Sequence, residues 1–171
     1  NLIINSFYSV NELKKITSYN FFLKKSITEI SSILDRIDCK IINKIIYTSS
    51  SAVYGSIDNK VELNDTNNRY IYSSLKLTAE SIFKNFCNKN KINLDICRVF
   101  NIYGNNDNFS ILSKLISTKR NNKIKINNNG LSIRDFIHVQ DVINIYKKLL
   151  KINKSDLYDL GTGRGVKIID I

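Results

Sequence analysis

The sequence contains no proline and no methionine in 171 residues. Average usage alone would supply about eight prolines to a chain of this length. Because residue 1 is asparagine, the sequence does not start at a natural translation start. We therefore expect an internal piece of a longer protein, so that motifs absent here lie outside the sequence.

Cysteine is scarce, and long apolar runs are absent. The three cysteines, Cys39, Cys87 and Cys97, are an odd number without C-x-x-C spacing. This favours reduced thiols in a cytoplasmic protein over a disulfide framework, and we predict no metal site. No apolar run approaches the roughly 18 residues of a membrane-spanning helix, and no charged-then-apolar leader pattern occurs, so we expect neither a membrane span nor secretion.

Negative charge is in short supply, because 26 Lys and Arg residues against 15 Asp and Glu give a net charge of +11. A basic surface attracts phosphate, which raises the possibility of nucleic-acid binding. The basic residues are scattered as doublets such as Lys24-Lys25 and Lys147-Lys148, and no RNA-binding aromatic motif, zinc finger or basic-region heptad occurs. We predict a solvated surface and no nucleic-acid partner.

Short apolar runs alternate with helix-length amphipathic stretches, within a composition of 43% hydrophobic and 24% charged residues. This alternation predicts an α/β protein with βαβ units around a parallel sheet. The predicted strands are 2–4, 45–48, 94–99, 123–126 and 157–160, and the predicted helices are 11–38, 72–88, 109–118 and 139–151. Residues 56–69 and 103–107 are predicted loops, and 127–130 a turn.

Tyr72 and Lys76 lie four residues apart at the start of a predicted helix, and so share one face. At about 6 Å and an effective dielectric constant of about 20, Coulomb's law gives roughly 2.8 kcal/mol in favour of the phenolate. That energy equals about two pKa units, enough to bring a tyrosine from about 10 toward about 8, where it can act as an acid or base. The serines at 49–51 end the preceding predicted strand and can supply a hydroxyl. The spacing alone is equally typical of an amphipathic helix with surface lysines.

Four ordered segments resemble the extended short-chain dehydrogenase/reductase family, in its nucleotide-sugar epimerase/dehydratase branch. They are IIYTSSSAVYG at 45–55, YSSLKLTAE at 72–80, RVFNIYG at 98–104 and IRDFIHVQDV at 133–142. A fifth, YDLGTG at 158–163, is similar to the family's "YNLGxG". The resemblance implies a Rossmann-like doubly wound parallel sheet, of which this chain is the carboxy-terminal part, and the beginning of a small substrate-binding subdomain. It implies a Rossmann portion at 1–104, and substrate-binding portions with a returning strand and helix at 105–171.

The resemblance also assigns site residues. Ser50 carries the implied catalytic hydroxyl. If the alignment with the family's turn is off by one residue, Ser49 or Ser51 would carry it instead. Tyr72 is the implied acid/base, and Lys76 lowers its pKa and binds the nicotinamide ribose. Ser6 and Phe100 are also implied to contact the cofactor. The implied contacts to the sugar nucleotide come from Ser50, Asn101 and Arg134. The implied cofactor is NAD, with NADP possible, and the implied partners are a nucleotide-diphosphate sugar and a second copy in a homodimer.

The sequence departs from the family in lacking the fingerprint G-x-x-G-x-x-G after a first strand. Residues 2–6 resemble the family's fourth strand, which places the fingerprint upstream of residue 1. The glycine-rich turn at 161–165 lies where the family has its "LGxG" loop, so we do not expect it to replace the fingerprint. We expect the chain alone to bind a dinucleotide weakly and to be inactive.

The residues after Ser50 bear on the reaction. Dehydratases of the family carry an Asp-Glu pair there, because eliminating water needs an extra acid and base, whereas this chain has Ser51 and Ala52. The pattern favours NAD-dependent epimerisation at C4 of a nucleotide sugar. A reductase or dehydratase of the same family and a non-catalytic fragment stay open as alternatives. Arg98 and His138 are interpreted as structural residues.

Overall fold

The computed structural model describes residues 1–5, 19–55, 68–105, 107, 110–118 and 126–171. Its main sheet has four strands: β1 (Leu2–Ile4), β2 (Lys44–Ser50), β3 (Asn93–Val99) and β6 (Asp156–Leu160). Their order is β1-β2-β3-β6, and all neighbours are parallel. The predicted parallel α/β sheet is confirmed, and the four predicted strands at these positions fall within the observed ones.

Helices cover both faces of this sheet. The helices that do so are α1 (Tyr19–Asp35), α2 (Asn68–Asn90) and α4 (Val139–Leu149). A further helix, α3 (Ile111–Ser117), has no buried residue. Ile45 and Tyr47 belong to one buried apolar cluster with residues of α1 and α2, while Ile46 belongs to a second cluster with residues of α4. Since side chains alternate along a strand, these clusters lie on opposite faces of β2. The buried, β-branched sequence of β2 is typical of a central parallel strand.

A second sheet is formed by β4 (Asn101–Tyr103), β5 (Ile133–His138) and β7 (Gly165–Lys167). β4 and β5 are parallel, and β5 and β7 are antiparallel. The sequence interpretation missed β5 and β7 and assigned Tyr103 to a loop, because these short segments show neither apolar alternation nor a continuous apolar run. The predicted strand at 123–126 lies almost wholly outside the described residues.

A buried ion pair fastens the amino-terminal end of the main sheet. Lys44 contacts Asp95 with side-chain exposures of 3% and 0%. Lys44 Nζ also donates to the backbone oxygens of Ile152 at 2.7 Å and Lys154 at 3.2 Å. The pair therefore joins β2 and β3 to the segment that leads into β6, at the edge opposite the serine-rich turn.

The three cysteines are unpaired thiols, as predicted. Burial raises the pKa of Cys87 to about 11 and that of Cys97 to about 12. Among the residues that the structure describes, no helix is long and apolar enough to cross a bilayer.

Candidate active site

Ser50 is the last residue of β2 and caps the 3-10 turn at Ser51–Tyr54. Its backbone is extended, with φ −143° and ψ 144°, and its Oγ accepts a hydrogen bond from the Ala52 amide at 3.2 Å. Since ligands of open α/β sheets bind beyond the carboxyl ends of the strands, this position is suited to a reacting group. The capping bond fixes the side-chain rotamer of the serine and orients it.

Tyr72 lies in the second turn of α2, close enough to Ser50 for the serine to act on the pKa of its phenol. The structure thus brings together two residues that the sequence places 22 positions apart. Burial raises the pKa of the Tyr72 phenol above its ordinary value, and the hydrogen bond from Ser50 partly offsets this by favouring the phenolate. The expectation that Lys76 brings this pKa down is therefore wrong for the protein without ligands, because desolvation dominates and the group that opposes it is Ser50.

Lys76 is buried beneath the end of β2, with 4% of its surface exposed. Its Nζ donates to the Thr48 carbonyl oxygen at 2.9 Å and lies 5.1 Å from the centre of the Tyr47 ring. Burial lowers the pKa of the Lys76 ammonium to about 8, and the nearby Glu80 carboxylate acts in the opposite direction. Lys76 therefore titrates within the range in which enzymes work.

Phe100 and Asn101 directly follow β3 at the end of the sheet that carries Ser50, since Ser50 pairs with Val99 in the β2–β3 register. The Phe100 amide donates to the Leu160 carbonyl at 3.0 Å. Asn101 Nδ2 donates to the Asp135 carbonyl at 2.8 Å. The Asn101 side chain thereby links β4 to β5 in this structure.

Arg134 lies in β5, two residues before Phe136, which pairs with Asn101. Its guanidinium donates to the carbonyl of its neighbour Ile133 at 2.7 Å on the exposed side. The structure thus assigns Arg134 to the second sheet, not to the strand end that carries Ser50. Ser6, the remaining predicted cofactor contact, lies outside the described residues.

The glycine-rich turn after β6 is closed around the Asp135 carboxylate. Asp135 accepts from the Thr162 amide at 2.9 Å, the Thr162 hydroxyl at 2.7 Å and the Gly163 amide at 2.8 Å. Burial acts to raise the pKa of Asp135, but these hydrogen bonds outweigh it and hold the pKa below its usual value. A Cβ on Gly161 would lie 2.6 Å from Asp135 Oδ2, which explains a glycine there. The amides that a phosphate would need are already engaged by a carboxylate of the chain itself.

Glu80 is the polar site residue to which sequence reasoning gave no role. It is 6% exposed, accepts a short hydrogen bond from Ser49 Oγ, and receives both Arg98 Nε at 3.1 Å and Arg98 Nη2 at 2.8 Å. The Arg98 guanidinium also lies 4.8 Å from the ring of Tyr54 in the turn after Ser50. The sequence does contain a pattern that points to Glu80. Tyr72, Lys76 and Glu80 are spaced four residues apart and therefore share one helix face.

The two residues interpreted as structural behave so in the described contacts. Arg98 pairs with Glu80, as above. His138 Nδ1 caps α4 by accepting from the Gln140 amide at 3.2 Å. Across the part of the chain that the structure describes, no group of three or more His, Cys, Asp or Glu side chains could hold a metal ion.

Comparison with known proteins identifies the family. The model of the NAD dependent epimerase/dehydratase family matches residues 16–161. The chain belongs to this family. The resemblance noted in the sequence is thereby confirmed. The predicted cofactor, NAD, is also confirmed, because it is the cofactor on which the enzymes of this family depend.

Curated relatives within the NAD-dependent epimerase/dehydratase family include more than one reaction type. An ADP-L-glycero-D-manno-heptose-6-epimerase of Brachyspira hyodysenteriae is 28% identical over 143 residues, covering 75% of this chain and 44% of the relative. The human dTDP-D-glucose 4,6-dehydratase is 29% identical over 135 residues, covering 76% of this chain and 39% of the relative. The chain thus spans less than half the length of these relatives.

Solved structures share the fold. The UDP-N-acetylglucosamine 4-epimerase of Methanobrevibacter ruminantium M1, in complex with UDP-N-acetylmuramic acid, matches with a TM-score of 0.78 at 20% identity, covering 99% of this chain and 56% of that one. The UDP-glucuronic acid 4-epimerase of Bacillus cereus, in complex with UDP-glucuronic acid and NAD, matches with a TM-score of 0.69 at 22% identity, covering 90% and 51%. These likenesses confirm the Rossmann-like α/β fold.

Proposed function

We propose that the whole protein interconverts nucleotide sugars that differ in configuration at C4, through a transient 4-keto sugar. The observation that carries this proposal is the proximity of Ser50, at the carboxyl end of β2, to Tyr72 on α2, whose pKa Ser50 acts to lower. Lys76 is on the same helix, one turn beyond Tyr72, and reaches the same strand. A phenol, a hydroxyl and an ammonium grouped at this edge of a parallel sheet are suited to oxidising a secondary alcohol reversibly.

Each of these side chains has a part in moving one proton. Tyr72 accepts the proton of the sugar 4-hydroxyl as a phenolate and returns it after the 4-keto sugar has turned over in the site. Ser50 donates a hydrogen bond that favours the phenolate. Burial and Ser50 are the causes that act on the Tyr72 pKa in this structure, so the part proposed for Lys76 is to hold the cofactor beside Tyr72. NAD, when bound, supplies the hydride acceptor and donor at C4, and the same Lys76 is suited to its ribose hydroxyls.

The turn after Ser50 supports epimerisation over dehydration. Eliminating water from the sugar needs a further acid and base, and the next two residues in the 3-10 turn are Ser51 and Ala52. A serine hydroxyl and a methyl group have no pKa near neutrality with which to move a proton. The same three residues would also serve a reductase, which differs in consuming an external reduced cofactor.

Product analysis distinguishes the candidate reactions. The whole enzyme is incubated with NAD and, in separate samples, with UDP-, dTDP- and ADP-hexoses, and products are identified by NMR. The proposal expects a mixture of C4 epimers that reaches the same ratio from either epimer, without net change in NAD. A 4-keto-6-deoxy product would instead indicate a dehydratase, and stoichiometric oxidation of NADPH a reductase.

Arg134 is proposed to pair with the diphosphate of the substrate, since a guanidinium forms bidentate bonds with phosphate oxygens. We expect Arg134→Ala to raise the dissociation constant of the sugar nucleotide by roughly 10- to 150-fold, the equivalent of about 1.5–3 kcal/mol. Arg134→Lys should recover only part of the loss, because lysine keeps the charge but not the planar fork. Arg36→Ala, an exposed arginine beyond α1, is the matched control. An unchanged dissociation constant in Arg134→Ala would exclude this role.

The 171-residue chain alone is expected to bind NAD weakly. A dinucleotide needs free backbone amides at a glycine-rich turn before a helix, whereas the Thr162 and Gly163 amides of the turn at 161–165 donate to Asp135. Calorimetric titration of NAD and NADP should give dissociation constants above about 10 μM, weaker than roughly −7 kcal/mol. Tighter binding would show that the chain holds a dinucleotide site of its own.

A further inference from the structure

Glu80 connects the three elements that form the site. Its carboxylate accepts from Ser49, which immediately precedes Ser50 on β2. It also accepts two bonds from Arg98 on β3, in the fork geometry that makes such pairs rigid. Glu80 itself is one turn beyond Lys76 on α2, so the helix that carries Tyr72 is fastened to both strands at one point.

We propose that Glu80 is a positioning residue, whose carboxylate keeps the Lys76 ammonium charged and ties the end of β2 to α2. This inference rests on the proposed function, because it assigns Glu80 a part in the same site. Glu80 does not touch the reacting atoms; it acts through Lys76 and through Ser49. Apolar side chains at this position could hold the same strands and helix together. They would not place a buried negative charge near Lys76.

The surroundings of Lys76 explain why a nearby negative charge matters. Among the described residues, the titratable groups around it are Glu80 and Tyr72 on the same face of α2 and Tyr47 on β2. Arg98 on β3 pairs with Glu80. In the protein without bound cofactor or sugar, burial raises the pKa values of Tyr47 and Tyr72, so both phenols are neutral near pH 7. Glu80 is thus the anionic group among these that favours the ammonium, against burial that lowers the pKa of Lys76 to about 8.

The sign and size of the expected effect follow from charge. A carboxylate about 6 Å from an ammonium is worth about two pKa units at an effective dielectric constant of about 20, and the Arg98 charge offsets part of it. Glu80→Gln should therefore lower the titration midpoint of Lys76 by about one pH unit. Arg98→Gln should shift the midpoint in the opposite direction, because it leaves the Glu80 charge uncompensated.

Turnover should follow the charged fraction of Lys76. Lowering a midpoint from about 8 by about one unit reduces the ammonium fraction about fivefold at pH 8 and leaves it almost unchanged at pH 6. In the whole enzyme, Glu80→Gln should therefore lose about fivefold in kcat at pH 8 and little at pH 6, with KM nearly constant. A merely structural role would reduce the rate by the same factor at both pH values.

The experiment combines this pH comparison with a direct titration of Lys76. The lysine side chains are labelled with 13C, and the Lys76 signal is assigned by its loss in Lys76→Met and followed against pH by NMR. Glu29→Gln on α1 is the control with the same substitution. A lower midpoint in Glu80→Gln, or a higher one in Arg98→Gln if the first variant does not fold, supports the inference. Unmoved midpoints in the variants that fold overturn it, and because the titration needs no turnover, that result is distinct from a failure of the proposed reaction.

Discussion

Tyr72→Phe is expected to reduce turnover of the whole enzyme by a factor of roughly 10² to 10⁴, the usual contribution of a positioned general acid or base. The substitution removes the hydroxyl that is bonded to Ser50 and keeps the ring that packs at the start of α2. Folding should be little affected, since one neutral hydrogen bond contributes about 1 kcal/mol net. The measurement is kcat with the preferred nucleotide sugar, beside the free energy of unfolding of the same variant.

Tyr158→Phe is the matched control. The Tyr158 hydroxyl is buried in β6 and has no hydrogen-bond partner among the described residues. Its removal should leave kcat unchanged and should not destabilise the protein, because an unsatisfied buried hydroxyl is already unfavourable. A Tyr72→Phe enzyme that keeps more than about a tenth of the wild-type rate would exclude Tyr72 as the acid/base.

The second large effect is on stability. Lys44→Met leaves the Asp95 carboxylate fully buried without its partner, and breaking such a pair from one side destabilises a protein by about 3–5 kcal/mol. Against a typical stability of about 5–15 kcal/mol, this is a large fraction. The measurement is the free energy of unfolding by urea, and the midpoint should fall sharply in the variant.

Two further variants test whether the loss of stability in Lys44→Met arises because the ion pair is buried. Lys154→Met breaks the exposed pair with Asp156, whose side chains are 59% and 44% exposed, and should change the midpoint little. The double variant Lys44→Met/Asp95→Leu should recover most of the loss, because apolar residues of similar volume replace a buried pair well. Equal effects of Lys44→Met and Lys154→Met would contradict the assignment of Lys44 as a buried structural charge.

The main sheet was predictable because its strands are short segments rich in apolar residues that alternate with helix-length stretches. The segment 45–48 carries no charged residue, and such a segment between helix-length stretches has few other interpretations. β5 and β7 were not predictable in the same way. β7 is three residues long and exposed, and its pairing with β5 depends on contacts across 30 to 34 residues of sequence.

Within the site, spacing placed Tyr72 and Lys76 on one face, but it did not predict their electrostatics. The pKa of Tyr72 depends on how far the phenol is desolvated, and burial is a property of the packed fold. Lys76 was expected to act on Tyr72, yet its Nζ is bonded to the Thr48 carbonyl and its own pKa is lowered. The role of Glu80 likewise depends on Ser49 and Arg98, which only the sheet brings beside it.

The most direct test of the central claim, reversible oxidation at C4 by the Ser50–Tyr72–Lys76 site, follows a deuterium atom at that carbon. The whole enzyme is given a nucleotide hexose deuterated at C4, and the products are analysed by mass spectrometry and NMR during turnover. The account predicts C4 epimers that retain the deuterium at C4, a rate slowed by the isotope, and loss of both products and isotope effect in Tyr72→Phe. Epimers that have lost the deuterium to solvent, or a rate that is the same with hydrogen and deuterium in both enzymes, would contradict it.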